Sequence, residues 1–316
     1  MKKLLRFFAI AAVIGTLSLT ACSKTPTPVT TTNLTAATPA PTAYTDDIGR
    51  TVTIQGVPQR IISLSPSNTE ILFALGLGGK VVGTDDYSDY PAAAKQLTHV
   101  GSAYPSFSIE TIVSLEPDIA IAFGYTLPDY VSQIESLGIP VIVLAPKDIN
   151  GVMSDIELIG RITGSSAQAE KLTSDMQNSL NAIEAKIKGA ATPRVLWEFD
   201  ATDPGKPWVA GPGSFNDVLI TLAGGQNIGA SGPTSSWQMN SEDIIKADPQ
   251  IIILDDFQFG TTVDGVLARP GWASITAVKE KAVYPITDSN LTDRPGPRII
   301  DGLELLAEII HPELFK

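Results

Sequence analysis

The segment Arg60-Ile61-Ile62-Ser63-Leu64-Ser65-Pro66-Ser67-Asn68-Thr69-Glu70-Ile71-Leu72-Phe73-Ala74-Leu75-Gly76 decides how the chain is read. Arg60 to Leu64 is a short apolar, β-branched run, the pattern of a strand buried on both faces. Ser67 to Gly76 reads as a helix. Glu70 stands three positions after Ser67, the spacing of a capping box, and Gly76 sits where a C-terminal glycine belongs. A buried strand running straight into a helix is the unit of a parallel sheet covered by helices.

The same alternation continues outward. Strands are predicted at Val81-Val82-Gly83, Asp118 to Phe123, Val141 to Leu144, Arg194 to Trp197, Ile251 to Leu254 and Ala282 to Tyr284. Between Ser165 and Lys188 the apolar positions Ala169, Leu172, Met176, Leu180, Ile183 and Ile187 recur in steps of three or four, and no Gly or Pro intervenes before Gly189. This pattern predicts one long helix near the middle of the body, of roughly 35 Å.

The two halves echo each other around that helix. Ser108-Ile109-Glu110 leads to Pro117-Asp118-Ile119, and Ser241-Glu242-Asp243 leads to Pro249-Gln250-Ile251. Likewise Ser67-Asn68-Thr69-Glu70-Ile71-Leu72 is echoed by Ser214-Phe215-Asn216-Asp217-Val218-Leu219. A repeat this long is no solenoid period. It implies two similar α/β lobes, with a ligand cleft between them at the carboxyl ends of the strands.

The N-terminus supplies an address. Lys2, Lys3 and Arg6 precede an uncharged apolar run, Phe7 to Leu19, which is too short for a bilayer-spanning helix. It ends Leu19-Thr20-Ala21-Cys22, which resembles a bacterial lipobox, and Cys22 is the only cysteine in the chain. Residues 1–21 are therefore expected to be a signal peptide, Cys22 a lipidation site, and the Thr/Pro/Ala-rich residues 22–45 a tether. The expected lobes are 46–164 and 190–316, joined by a helix at 165–189. The resulting localisation is the outer face of the cytoplasmic membrane, or the periplasmic side in a two-membrane cell. The formal net charge is −12, and it becomes three units more negative once Lys2, Lys3 and Arg6 leave. That acidity argues against nucleic acid as a partner.

Catalytic signatures are sparse. The only histidines are His99 and His311, both read as surface or packing residues. With no thiol in the body, a metal cage is not expected. There is no Gly-x-Ser-x-Gly elbow and no Gly-Lys-Ser/Thr phosphate loop. Gly211-Pro212-Gly213-Ser214 reads as a turn and cap. What stands out instead is aromatic residues in apparent loops: Tyr87, Tyr104, Tyr125, Trp208 and Trp237. Aromatics on loops between lobes suit a large, flat, partly apolar ligand.

At this point a family can be named. Arg60 to Glu70, Gly83, Tyr87-Ser88-Asp89-Tyr90-Pro91, the Ser108-to-Asp118 segment and Arg294-Pro295-Gly296-Pro297-Arg298-Ile299-Ile300 resemble the cobalamin-binding proteins of ABC importers. Asp46-Asp47-Ile48-Gly49-Arg50-Thr51-Val52 resembles the opening strand pair of the wider group that also binds siderophores and haem. The resemblance covers the body from about residue 46 onward. It implies an α/β fold of two Rossmann-like lobes joined by a single long α-helix, with a corrinoid held between them and no enzymatic cofactor. It implies ligand contacts at Tyr87, Trp208, Trp237, Asp288 and Arg294, beside Tyr104 and Tyr125. Glu110 and Glu242 would dock, one per lobe, onto arginines of an ABC permease, and the chain would act as a monomer. Tyr104 stands where relatives have a tryptophan, and Ser289-Asn290-Leu291-Thr292 where an aromatic pair is expected. Two alternatives remain open: haem or a ferric siderophore as ligand, and a membrane-anchored hydrolase.

Overall fold

A computed structural model describes residues 40–316. The expected signal peptide, the expected lipidation site Cys22 and most of the expected tether lie outside the described residues. The chain opens with an antiparallel hairpin, β1 (Thr42–Thr45) and β2 (Thr51–Ile54). Thr42 to Thr45, read above as tether, is thus a strand, and Asp46 to Arg50 is the turn between the strands rather than part of them. The turn is latched to the sheet beyond it. Asp46 accepts from Arg50 and from the Val143 amide, and Asp47 accepts from the Ala145 amide at 2.6 Å.

The first sheet has the order β5-β4-β3-β6-β7 and is parallel throughout. Its strands are β3 (Ile61–Ser63), β4 (Val81–Thr84), β5 (Thr98–His99), β6 (Ile119–Phe123) and β7 (Val141–Leu144). Helices α1 (Pro66–Ala74), α2 (Ile109–Ser114), α3 (Pro128–Ser136) and α4 (Ile149–Thr163) connect and cover them. This is the Rossmann-like order, with the strand sequence reversing beside β3. The apolar runs form strands here because both faces are covered, so every residue of β7 is buried.

Helix α5 (Ser166–Ile187) follows, roughly 33 Å long. It buries Ala169, Thr173, Met176, Leu180 and Ile183. One apolar cluster runs without interruption from Ile61, Ile119 and Ile142 through α4 and α5 to Val195, Trp197 and Leu303. The helix is therefore a spine packed along both lobes, and motion between them has to slide or bend a packed core.

The second sheet has the order β11-β9-β8-β12-β13, with β10 paired to β8. Its strands are β8 (Arg194–Asp200), β9 (Trp208–Ala210), β10 (Gln226–Asn227), β11 (Ser236–Gln238), β12 (Ile251–Leu254) and β13 (Val283–Pro285). Helices α6 (Phe215–Leu222), α7 (Ser241–Ala247), α8 (Val263–Leu267), α9 (Thr276–Lys279), α10 (Asn290–Asp293) and α11 (Ile299–Ile310) complete it. Unlike the first sheet it is mixed, because β9 runs antiparallel to β8 and β11 antiparallel to β9.

The internal echo is physical. Glu110 and Glu242 each occupy the second position of a short helix, α2 and α7, and both are exposed. Each helix is followed within two residues by a non-glycine residue at φ 46, Glu116 after α2 and Asp248 after α7. The other echo needs a shift of register. Ser214 caps α6, but α1 is capped by Ser65, whose side chain accepts from the Asn68 amide, with Pro66 in the first turn. Ser67 and Glu70 therefore form no capping box; Pro66 moves the helix start two residues earlier than expected.

Candidate functional site

The N-lobe side of the site is built where β3, β4 and β6 end. Asn68 donates through Nδ2 to the carbonyls of Ile121 and Ala122, at 3.2 and 3.0 Å, which pins α1 to the end of β6. Thr69 Oγ1 lies 2.8 Å from Ser63 Oγ and 2.7 Å from Ser88 Oγ. Ser88 donates to Asp85, which also accepts the Tyr87 amide at 3.1 Å. This buried chain of hydroxyls fixes the loop that presents Tyr87. Burial raises the Asp85 carboxyl above its usual range, against the pull of Ser88, the Tyr87 amide and Arg294.

Tyr87, Tyr104 and Tyr125 all present their rings to solvent, 62 %, 72 % and 49 % exposed. Tyr125 leans on Phe123 with ring centroids 4.9 Å apart. Partial burial and the nearby Asp85 push its hydroxyl up to about 12, so it stays a hydrogen-bond donor.

On the C-lobe side, Trp208 opens β9 opposite Asp200, with its ring substantially exposed. Trp237 is placed differently from the loop expected above. It lies on β11, its Nε1 donates to the Gly229 carbonyl at 3.0 Å, and it packs beside Leu196, Val209 and Met239. A Cβ on Gly232 would fall 1.9 Å from Trp237 Nε1, so the ring rests directly on that glycine backbone. Trp208 and Trp237 are thus both strand residues, and Trp237 is largely committed to the lobe's own packing.

Two aromatic residues that the sequence reading passed over stand at the end of β12: Phe257 and Phe259, the latter 82 % exposed. The usable signal was Phe-Gln-Phe-Gly immediately after a strand and two aspartates, at a strand's carboxyl end. Phe199, Asp200, Ala201, Thr202, Asp256, Phe259, Gly260 and Thr261 surround a recess of about 530 Å³ there. A larger recess, about 720 Å³, lies at the opposite, amino-terminal end of the first sheet, between Arg50, Asp118, Glu135 and Pro140. None of the exposed tyrosines, tryptophans or phenylalanines lines it.

The two sides are tied by arginines from the last loop. Arg294 Nη1 reaches Asp89 Oδ1 at 2.6 Å and Glu70 Oε1 at 3.3 Å, and its Nη2 donates to the Tyr87 carbonyl at 3.2 Å. Arg298 donates to both oxygens of Glu70, at 2.8 and 2.6 Å, and stacks 3.9 Å from the centre of the Tyr90 ring. Burial works against ionising Asp89, but Arg294 outweighs it and holds that carboxyl below its usual range. Asp288 is exposed and accepts the Asn290 amide. The structure thus brings Tyr87 and Arg294 together, and it spends the Arg294 charge on protein groups.

Acidic groups crowd the C-lobe edge. Glu198 and Arg269 form a buried pair at 2.6 and 2.7 Å. Asp255 accepts the Trp197 indole N–H at 3.2 Å, and burial raises the carboxyls of both Asp255 and Asp293. Of the histidines, His99 sits half-exposed beside the Asp85 carbonyl and His311 is buried at the end of α11. Among the described residues no group of three His, Cys, Asp or Glu side chains is placed to hold a metal, and no helix is long and apolar enough to cross a membrane.

This architecture matches known proteins throughout. The profile of the periplasmic binding protein family covers residues 61–289, and the chain belongs to that family. An uncharacterized ABC transporter substrate-binding lipoprotein of Bacillus subtilis is 34 % identical over 87 % of this chain and 87 % of its own length. A vitamin B12-binding protein of Yersinia pestis is 31 % identical, over 79 % of this chain and 85 % of its own. Among solved structures, the periplasmic vitamin B12 binding protein of Vibrio cholerae superposes with a TM-score of 0.71 at 25 % identity, covering 82 % of this chain and 98 % of that one. A periplasmic heme-binding protein holding two hemes reaches 0.75 at 25 % identity, with coverage of 82 % and 100 %.

Proposed function

We propose that this chain captures cobalamin, or a corrinoid close to it, outside the cytoplasmic membrane and hands it to an ABC permease. The observation that carries the choice of ligand is the state of Arg294 and Arg298. Both guanidiniums are matched by Glu70, Asp89 and a main-chain carbonyl. The strand-end loops that carry Tyr87, Tyr125 and Phe259, and the first residue of β9, Trp208, therefore offer exposed rings, while Arg294 and Arg298 are already paired. A neutral macrocycle with apolar faces and peripheral amides suits such a surface, because flat rings bury against aromatics and unpaired charge is costly. In this reading the chain binds without turnover, as a monomer whose two lobes flex slightly about α5.

The remaining roles follow the same reading. Tyr87, Tyr104, Tyr125, Trp208 and Asp288 contact the ligand, while Arg294 and Trp237 hold the walls of its site. Glu110 and Glu242, at equivalent helix positions, dock onto paired basic sites of the permease. Cys22 carries the lipid, and the chain ahead of β1 is the tether. Equilibrium dialysis of the purified body against cyanocobalamin, haem and a ferric hydroxamate tests the ligand. Retention of cyanocobalamin alone supports the proposal, and retention of haem or hydroxamate alone moves the chain to a neighbouring specificity. Glu110→Ala and Glu242→Ala should leave that retention unchanged while lowering cyanocobalamin uptake by cells that depend on the protein.

A further inference from the structure

The recess at the ends of β8 and β12 has a chemistry of its own. Two phenyl rings line it: Phe199, half-buried against the core, and Phe259, almost wholly exposed. Two carboxylates line it as well, Asp200 and Asp256, and no lysine, arginine or histidine does. The Thr202 hydroxyl and amide hydrogen-bond Asp200 and hold its carboxyl below the usual range, so it is ionised at neutral pH. Asp256 is only 3 % exposed. Its Oδ2 accepts the Ala201 amide at 3.0 Å and the Thr261 hydroxyl at 2.6 Å, while its Oδ1 accepts from no described group. A buried acceptor left unpaired carries a standing cost that an entering N–H donor relieves.

We infer that this recess receives a peripheral primary amide of the corrin ring, with Phe259 against the ring's apolar edge, and that Asp200 and Asp256 make it reject carboxylates. The inference rests on the corrinoid reading above and narrows it to fully amidated corrinoids. An amide N–H meets the fixed carboxylates as a donor. A carboxylate at the same place would be desolvated beside like charges with nothing to compensate it.

The test compares dicyanocobinamide with dicyanocobyrinic acid, in which the same peripheral groups are carboxylates, by fluorescence titration of the protein and of three variants. The titrations are run at low salt and again at 0.5 M NaCl, where the repulsion from the protein's overall negative charge is screened. The wild type is expected to prefer cobinamide by at least 100-fold and to keep most of that preference at high salt. Asp256→Asn and Asp200→Asn should each narrow the ratio about tenfold, chiefly by improving binding of the acid. Phe259→Ala should weaken both ligands about tenfold and leave the ratio alone. Asp200 and Phe259 are exposed, so those two variants keep the test decisive even if Asp256→Asn fails to fold. Equal affinity for the two ligands, a preference that vanishes at high salt, or an unchanged ratio in the aspartate variants overturns the subsite while the corrinoid reading stands. Failure to bind either ligand while cyanocobalamin is retained overturns the subsite alone, and failure to retain cyanocobalamin as well overturns the corrinoid reading.

Discussion

Arg298 grips Glu70 with two hydrogen bonds, 2.8 Å from Nε and 2.6 Å from Nη2, although 228 residues separate them in the chain. Glu70 sits on the first helix and Arg298 just before the last, so this pair and its neighbour Arg294 join the beginning of the body to its end. Glu70 is 2 % exposed at its side chain and the two arginines 18 % and 12 %. Removing the acid strands the nearly buried Arg298 guanidinium and leaves Arg294 with Asp89 and the Tyr87 carbonyl. Glu70→Ala is expected to cost about 3 kcal/mol. Urea unfolding checks it, and a loss under about 0.5 kcal/mol would show that the arginines find water instead.

Arg60 and Arg194 play matching parts in the two lobes. Arg60 Nε donates to the carbonyls of Leu115 and Glu116, at 3.0 and 2.9 Å, and Arg194 Nε to those of Ala247 and Asp248, at 2.9 and 2.8 Å. Each guanidinium thus satisfies the open carbonyl end of the helix whose first turn carries Glu110 or Glu242. Both arginines are partly solvated, so Arg60→Ala and Arg194→Ala should each cost only about 1 kcal/mol. The two losses should add in the double variant, because the sites share no partner. Thermal unfolding of the three variants provides the comparison, and strong non-additivity would mean that the two ends are mechanically coupled.

Asp155 gives a signed pH dependence. It is buried on α4, and burial together with the neighbouring Asp47 raises its carboxyl to about 9. An unfolded aspartate releases its proton near the ordinary value, about 4. Between these limits the folded chain holds the extra proton, so this group's contribution to stability falls as pH rises from about 4 to about 9. Asp155→Asn keeps a donor facing Asp47 and removes the titration. It should be at least about 1 kcal/mol more stable than wild type at pH 8.5 and close to it at pH 4.5. Equal differences at both pH values would refute the assignment.

Exposure separates the proposed ligand contacts from packing. Tyr104→Ala and Trp208→Ala remove exposed rings and should leave the unfolding midpoint nearly unchanged while weakening corrinoid binding. Trp237→Ala removes a ring packed on Gly232 and one of the two hydrogen bonds to the Gly229 carbonyl, so it should cost about 3 kcal/mol in stability as well. Paired melting and titration curves for each variant make the distinction. Normal stability for Trp237→Ala would contradict the packing described here.

Much of this fold is written locally. The runs at Ile61, Ile119, Val141 and Ile251 become strands because both of their faces are covered, and the 165–188 stripe becomes a helix because its apolar period is helical. What escaped is set by tertiary context. Trp208 and Trp237 sit in three-residue strands, too short to show a period, so they read as loops. Glu70 matched a local capping pattern, but its partners Arg294 and Arg298 come from the far end of the chain, and no spacing rule connects them. Phe257 and Phe259 lie in a short 3-10 turn just past β12, where exposure rather than sequence pattern marks them.

The most direct test of the central proposal is saturable quenching of tryptophan fluorescence by cyanocobalamin, with haem and a ferric hydroxamate titrated in parallel and absorbance corrected. One-to-one quenching by cyanocobalamin, weakened by Trp208→Ala and absent with haem, is the predicted result. Saturation by haem with no response to any corrinoid would contradict it.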